Sequence, residues 1–162
     1  MKTNPLGERL GLQVLDRAVW AAVKDERMRF AWIGLVDHEH ARVVPVTSAG
    51  HEYGYLDDLY IDLRNTPYGR GPTGRAAREG RPATTYDMSL DPDYRPWLRE
   101  ARSRGYRSGC SVPIRRGGTV AAVLALYSAQ SQHFDPAQIE RWVRIAESIG
   151  SALDALDAAP IP

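Results

Sequence analysis

The sequence predicts an α+β domain on a mainly antiparallel sheet, and three observations predict it. Two pairs of strand-like segments are joined by short turns, at residues 37–41 and at Gly117–Gly118. Both ends of the chain carry amphipathic helical stripes, and the elements between them do not alternate strand and helix one for one, as a wound parallel sheet requires.

From Gly7 to Arg29, Leu15, Ala18, Val19, Ala22 and Val23 recur at the three-and-four spacing of one helix face, with Arg17, Lys24, Asp25 and Glu26 opposite. Phe30 to Val36 is a short, nearly continuous apolar run, the pattern of a strand covered on both faces. Arg42 to Ala49 alternates as a strand, and Pro45, which has no N–H for a ladder, puts it at an edge. Gly50 to Gly71 is aromatic and acidic with weak periodicity, and is read as a short helix in a long connection. A helix starts at Pro72 and stops at Gly80 and Pro82; Ala83 to Tyr86 is a short strand. Asp91, Pro92 and Asp93 form a turn, after which Pro96 opens a helix that Gly105 closes, with Trp97, Leu98 and Ala101 on one face.

Tyr106 to Arg115 places Cys110, Val112 and Ile114 on one side and Gly109, Ser111 and Pro113 on the other. Gly117 and Gly118 turn it into Val120 to Tyr127, apolar throughout and therefore central. The last helix is marked by Asp135 as N-cap, Pro136 at the first position, Gln138 to complete a capping box and Phe134 to staple onto Ile139. Its stripe is Ile139, Trp142, Val143, Ala146, Ile149 and Leu153.

The chain has 162 residues, with 21 basic against 20 acidic side chains and one cysteine. That length suits one domain, and a charge of +1 supplies no overall field for nucleic acid or an anionic membrane. Cys110 has no partner for an intramolecular disulfide, and no signal peptide or apolar span is visible, so a cytoplasmic location is expected. There is no Walker loop, nucleophile elbow or Ser/His/Asp set, and no catalysis is expected.

The strand FAWIGLVD (Phe30–Asp37), the segment GPTGRAAREGRP (Gly71–Pro82), the stretch from Tyr86 to Ile114 and the strand VAAVLALYS before HFD together resemble GAF domains of the bacterial sensor type. The resemblance implies a GAF/PAS-like central antiparallel sheet of about five to six strands. The N- and C-terminal helices pack on one face, and helices and loops cover a small-molecule pocket on the other. It divides the chain into a lead-in at 1–9, the domain at 10–156 and a linker stub at 157–162. It also implies relay of a ligand signal through the terminal helices to an output domain, in cis or in trans.

Relatives that reduce free methionine sulfoxide need at least two thiols, and this chain has one. Bilin-binding relatives attach chromophore to a cysteine commonly followed by histidine, whereas Cys110 is followed by Ser111. The nucleotide-binding pattern of other relatives has no counterpart here. No cofactor or metal is predicted; His51 is the one histidine near the pocket side, and haem ligation through it is the weaker option beside an ordinary loop histidine.

The near-zero charge conceals an asymmetry. Between Arg64 and Arg116 there are 12 arginines against 5 acids, and each flank carries −3. A small anionic or carboxylate ligand, in the pocket or a cleft beside it, is therefore expected to use Thr73 and the backbone at Pro72 to Gly74, with Arg70, Arg75 or Arg107 as counter-charges. The opposing reading is a solvated arginine face. Tyr55, Tyr60, Tyr86, Tyr94, Trp97 and Tyr106 are aromatic candidates for the pocket wall, with Cys110 in the strand beneath. Residues 139–156 make a helix of about 27 Å, long enough to pair with its copy, so a parallel homodimer is expected. The sequence thus reads as a non-catalytic sensory module that binds a small molecule; the alternative is a structural dimerisation module whose pocket is filled by its own side chains.

Overall fold

The elements follow in the order α1 (Pro5–Lys24), β1 (Phe30–Asp37), β2 (Arg42–Gly50), α2 (Pro72–Glu79), β3 (Ala83–Thr85), α3 (Arg95–Ser103), β4 (Ser108–Arg116), β5 (Thr119–Ser128) and α4 (Pro136–Ala158). This is a computed structural model, and it describes residues 5–159. Five strands form one antiparallel sheet in the order β2-β1-β5-β4-β3. The strand with Pro45 lies at one edge, and the uniformly apolar β5 lies at the centre, as their compositions require. Pro45 sits opposite Gly34, where the β1–β2 register shifts by one residue, so the missing N–H coincides with an interruption of the ladder.

Alternation along the strands divides the interior into two cores. Ala31, Ile33, Cys110, Val112, Ile114, Leu124 and Leu126 point to one face and pack under Leu15 and Val19 of α1 and Trp142, Ala146, Ile149 and Leu153 of α4. Phe30, Trp32, Val123, Ala125 and Tyr127 point to the other, beneath α2, α3 and the 51–71 connection. Asp135 caps α4 by accepting the Gln138 N–H at 2.8 Å, and Phe134 and Ile139 both join the first core. Gly150 lets α4 lie close on β4: a Cβ there would stand 2.5 Å from the Arg115 carbonyl oxygen.

Several boundaries differ from expectation. The 51–71 connection is mostly turns, and the short helix expected in it is a single 3-10 turn at Pro67–Gly69. The cause is local competition. Asp62 accepts from the Arg64 N–H at 2.9 Å and from Arg64 Nε and the Thr66 hydroxyl, while Glu52 accepts from the Gly54 and Leu56 N–H groups. α1 starts at Pro5, within the expected lead-in, and stops at Lys24 because Arg27 turns into the left-handed region at φ 59°. α4 continues to Ala158, within the expected stub. Residues 1–4 and 160–162 of those two segments lie outside the described residues. A 3-10 turn at Pro92–Tyr94, capped by Asp91, leads into α3, and Gly105 at φ 77° returns its N–H to the Arg102 carbonyl to end it.

Candidate functional site

The second core converges on a seam between the sheet and the covering helices. Trp32 of β1 and Tyr127 of β5 stand on the same sheet face, and the Trp32 indole N–H donates to the Tyr127 hydroxyl at 2.9 Å. Above them, Tyr55 from the long connection and Tyr94 from the turn before α3 bring their hydroxyls within 2.8 Å of each other. The Tyr55 ring meets the Tyr127 ring edge-on, centroids 5.6 Å apart. Three phenols and an indole N–H, supplied by four separate segments, thus meet in the interior.

Burial pushes the Tyr55, Tyr94 and Tyr127 phenols above their ordinary value, and for Tyr55 and Tyr94 the adjacent Tyr127 adds to the effect. All three are neutral hydrogen-bonding groups at any physiological pH. At the α2 end, Thr73 and Ser111 place their hydroxyl oxygens 2.9 Å apart, both buried. Trp97 closes the seam, its ring lying on Gly71, where a Cβ would be 2.5 Å from Cζ3. The space left is about 10 Å³, room for roughly one water.

Of the candidates read from sequence, Tyr55, Thr73, Tyr94 and Trp97 line this seam. Tyr106 is buried against Phe30, ring centroids 5.3 Å apart, and its hydroxyl donates to the His51 carbonyl, so it faces a neighbouring cleft. Cys110 borders the seam as well, although its side chain belongs to the core under the terminal helices. Tyr60 and Tyr86 are exposed, the former packed edge-on against Tyr68. Ser111 could have been found from the alternation that opposes it to Cys110, and Tyr127 from its phase with Val123 and Ala125. Tyr94 is among the aromatic candidates, although it lies in a turn and no periodicity shows which way it points.

Two of the three arginines expected as counter-charges bond the chain's own groups. Arg70 donates to the Asn65 side chain at 3.1 Å, and Arg75 reaches the Thr84 carbonyl at 2.9 Å, tying α2 to β3. Arg78 donates to the carbonyls of Leu63, Arg64 and Gly69, and Arg104 to those of Glu52 and Tyr53. Irregular backbone has carbonyls without ladder partners, and a guanidinium with five N–H donors satisfies them. The first turn of α2 is itself buried, with Gly69 and Asp62 carbonyl oxygens against Gly74. No arginine therefore enters the seam, while Arg107 faces the adjacent cleft.

Burial pushes the Cys110 thiol up to about 12, so it is a protonated core side chain at neutral pH. His51 lies outside the seam, its Nδ1 3.1 Å from the Tyr53 hydroxyl. Among the described residues no group of three or more His, Cys, Asp or Glu is arranged to hold a metal ion, and no helix is long and apolar enough to cross a membrane.

An antiparallel five-stranded sheet, terminal helices on one face and a covered polar seam on the other describe a small α+β domain of the GAF-like class. A family model described as GAF domain matches residues 12–154, and the chain belongs to that family. No curated protein sequence matches it. Among solved structures it is similar to the GAF domain of PixJ from Thermosynechococcus elongatus in its blue-light absorbing form, with 17% identity, 96% of this chain and 92% of that chain covered and a TM-score of 0.75. It is also similar to free methionine-R-sulfoxide reductase from Neisseria meningitidis in complex with its substrate (21% identity, 96% and 89% covered, TM-score 0.72). A third is the GAF domain of a phosphoenolpyruvate-protein phosphotransferase from Coxiella burnetii (19% identity, 94% and 93% covered, TM-score 0.70). At these identities the likeness is one of fold. GAF domains are commonly sensory or regulatory modules in signal transduction, and some proteins of this fold are enzymes.

Proposed function

We propose that this chain is a non-catalytic, cytoplasmic regulatory module in which a small molecule enters the hydroxyl-lined seam and changes the packing of the 51–71 connection and α3. The observation that carries the reading is the meeting of the Tyr55, Tyr94 and Tyr127 hydroxyls and the Trp32 N–H in a buried aromatic setting. Such a wall, apolar with a few convergent polar tips, suits a small organic ligand held by neutral hydrogen bonds. With about 10 Å³ free, the ligand must displace the chain's own side chains, which is how occupancy changes conformation.

The absence of catalysis is supported by the chemistry of the thiol. Reduction of a sulfoxide consumes two thiols to form a disulfide and water, and the single Cys110 is buried, protonated and on the wrong face of the sheet. Relay is assigned to α1 and α4, which pack on the opposite face and continue to the ends of the domain, with a homodimer formed through them.

Native mass spectrometry of gently purified protein tests the reading. A retained small-molecule mass that is lost in Tyr94→Phe supports it. A bare polypeptide mass, combined with no thermal stabilisation across a metabolite screen, overturns it in favour of the second reading. That reading is a structural dimerisation module, and the side-chain-filled seam is the observation that favours it.

A further inference from the structure

Most arginines of the basic middle segment are occupied with carbonyls or carboxylates; Arg102 and Arg107 are exceptions that share one cavity. Arg107 precedes β4, held by its N–H to the Ser128 carbonyl at 2.8 Å and by its carbonyl accepting from Met88 N–H at 2.9 Å. Its guanidinium makes no hydrogen bond or ion pair among the described residues. Arg102 lies in the last turn of α3, and among the described residues its side chain's only hydrogen bond is to the Ser89 hydroxyl at 3.5 Å. Both line a cleft of about 240 Å³ with Asp87, Ser89, Tyr106 and Ser131.

The cleft is built where three connections meet. The 86–91 turn is closed by Asp87, whose Oδ1 accepts the Ser89 N–H at 2.9 Å and whose carbonyl accepts from Leu90 and Asp91. The end of α3 is fixed by Gly105 and Tyr106 bonding back to Arg102 and Ala101. The loop after β5 is joined to the 86–91 turn by the Gln132 N–H on the Tyr86 carbonyl at 2.6 Å. Two guanidiniums without acidic partners, two serine hydroxyls and one carboxylate therefore face a space slightly below the usual range of roughly 300–1,000 Å³ for ligand pockets.

We propose that this cleft is a second ligand site, separate from the tyrosine seam, for a small molecule with a carboxylate or phosphate group. Arg102 and Arg107 grip the oxyanion, Ser89 and Ser131 add neutral hydrogen bonds, and Asp87, whose Oδ2 carries no hydrogen bond, accepts from a hydroxyl elsewhere on the ligand. Asp87 sets the selectivity, because a ligand that is anionic at both ends meets its charge unfavourably unless it also offers a donor.

Titration of the full chain with succinate, L-malate and inorganic phosphate, followed by amide NMR, tests the proposal. Saturable shifts at Ser89, Gly105, Arg107 and Ser131 are expected with a dicarboxylate or with phosphate, which separates the two oxyanion sources. Arg102→Gln and Arg107→Gln each weaken binding about tenfold, whereas Arg99→Gln, an exposed arginine of the same helix, leaves it unchanged. The hydroxyl of L-malate makes it bind more tightly than succinate, a preference that Asp87→Asn removes; equal affinity for the two would take Asp87 out of the site. No saturable shift with any of the three probes, or an equal loss in Arg99→Gln, would overturn the proposal, while leaving the reading of the tyrosine seam untouched.

Discussion

Cys110 shows how much one residue's environment decides. Its side chain is 1% exposed, lies under α1 and α4, and has its thiol pushed up to about 12 by burial. Alkylation needs thiolate and access. Native protein treated with iodoacetamide at pH 8 is expected to remain unlabelled over the period in which the denatured chain is fully labelled. Rapid native labelling would contradict both the burial and the non-catalytic reading. The tyrosines present the complementary case. Tyr94→Phe removes one partner of a buried 2.8 Å hydrogen bond and leaves the Tyr55 hydroxyl short of a contact, at a cost of about 1 kcal/mol in chemical denaturation. The raised phenol values carry a pH sign: a group whose folded value lies above its unfolded one contributes stability that is intact below about pH 10 and fades above it. A Tyr94→Phe variant should therefore lose less stability than the parent between about pH 10 and 11, measured by thermal midpoint. Much of this was legible in the chain, because strand alternation alone opposes Ser111 to Cys110 and Tyr127 to Leu126. Tyr94 is legible as an aromatic candidate, but its pairing with Tyr55 is not, since a turn residue carries no periodicity to say which way it points.

At the scale of elements, the well-marked helices and strands were read correctly where a repeating apolar pattern exists, as in α4 and β5, and poorly where structure depends on side chains capping irregular backbone. The 51–71 connection has no stripe; it is held by Asp62, which bonds Arg64 and Thr66, and by Arg78 and Arg104 reaching in from α2 and the end of α3. The hydrogen bonds from Arg64 hold the Asp62 carboxyl down to about 2, against an ordinary value of 3.8. A depressed carboxyl stabilises the fold above its unfolded value and ceases to do so as pH falls toward the folded one. Thermal midpoints should therefore drop between about pH 4 and pH 2 by more in the parent than in Asp62→Asn; identical slopes would remove Asp62 from that role. Gly150 supplies a sharper test, because two effects oppose each other there. Alanine is favoured over glycine in a helix by about 1 kcal/mol, yet a Cβ would stand 2.5 Å from a backbone oxygen of β4 that has no rotamer to yield. Overpacking of about 1–3 kcal/mol should win, so that Gly150→Ala destabilises the protein in denaturant titration.

The whole molecule is a sheet with unlike faces: one sealed over hydroxyl-bearing aromatics by arginine-tied loops, the other covered by two long helices that do not complete their own packing. Between α1 and α4 runs an apolar groove of about 380 Å³, lined by Val14, Ala18, Ala21, Trp142, Ile145 and Ile149, and the Trp142 indole N–H beside it is buried without a hydrogen-bond partner. On α1, Leu6, Leu10 and Trp20 are exposed along one stripe, Trp20 at 61%. Large exposed apolar side chains arranged along a helix are the usual mark of a surface that meets another protein, and helices that continue to the ends of the domain favour a symmetric partner of the same kind. The expected state is accordingly a parallel homodimer through α1 and α4. Light scattering across a concentration series should give twice the 18.0 kDa chain mass at the upper end, and Trp20→Glu should weaken association about tenfold or more while leaving the circular dichroism of the monomer intact. A mass that stays at one chain at every concentration would sink the dimer. It would also leave relay through α1 and α4 without a partner helix to act on, so that an oxyanion or an organic ligand bound on the far face would have to be read by an output domain contacting this chain alone.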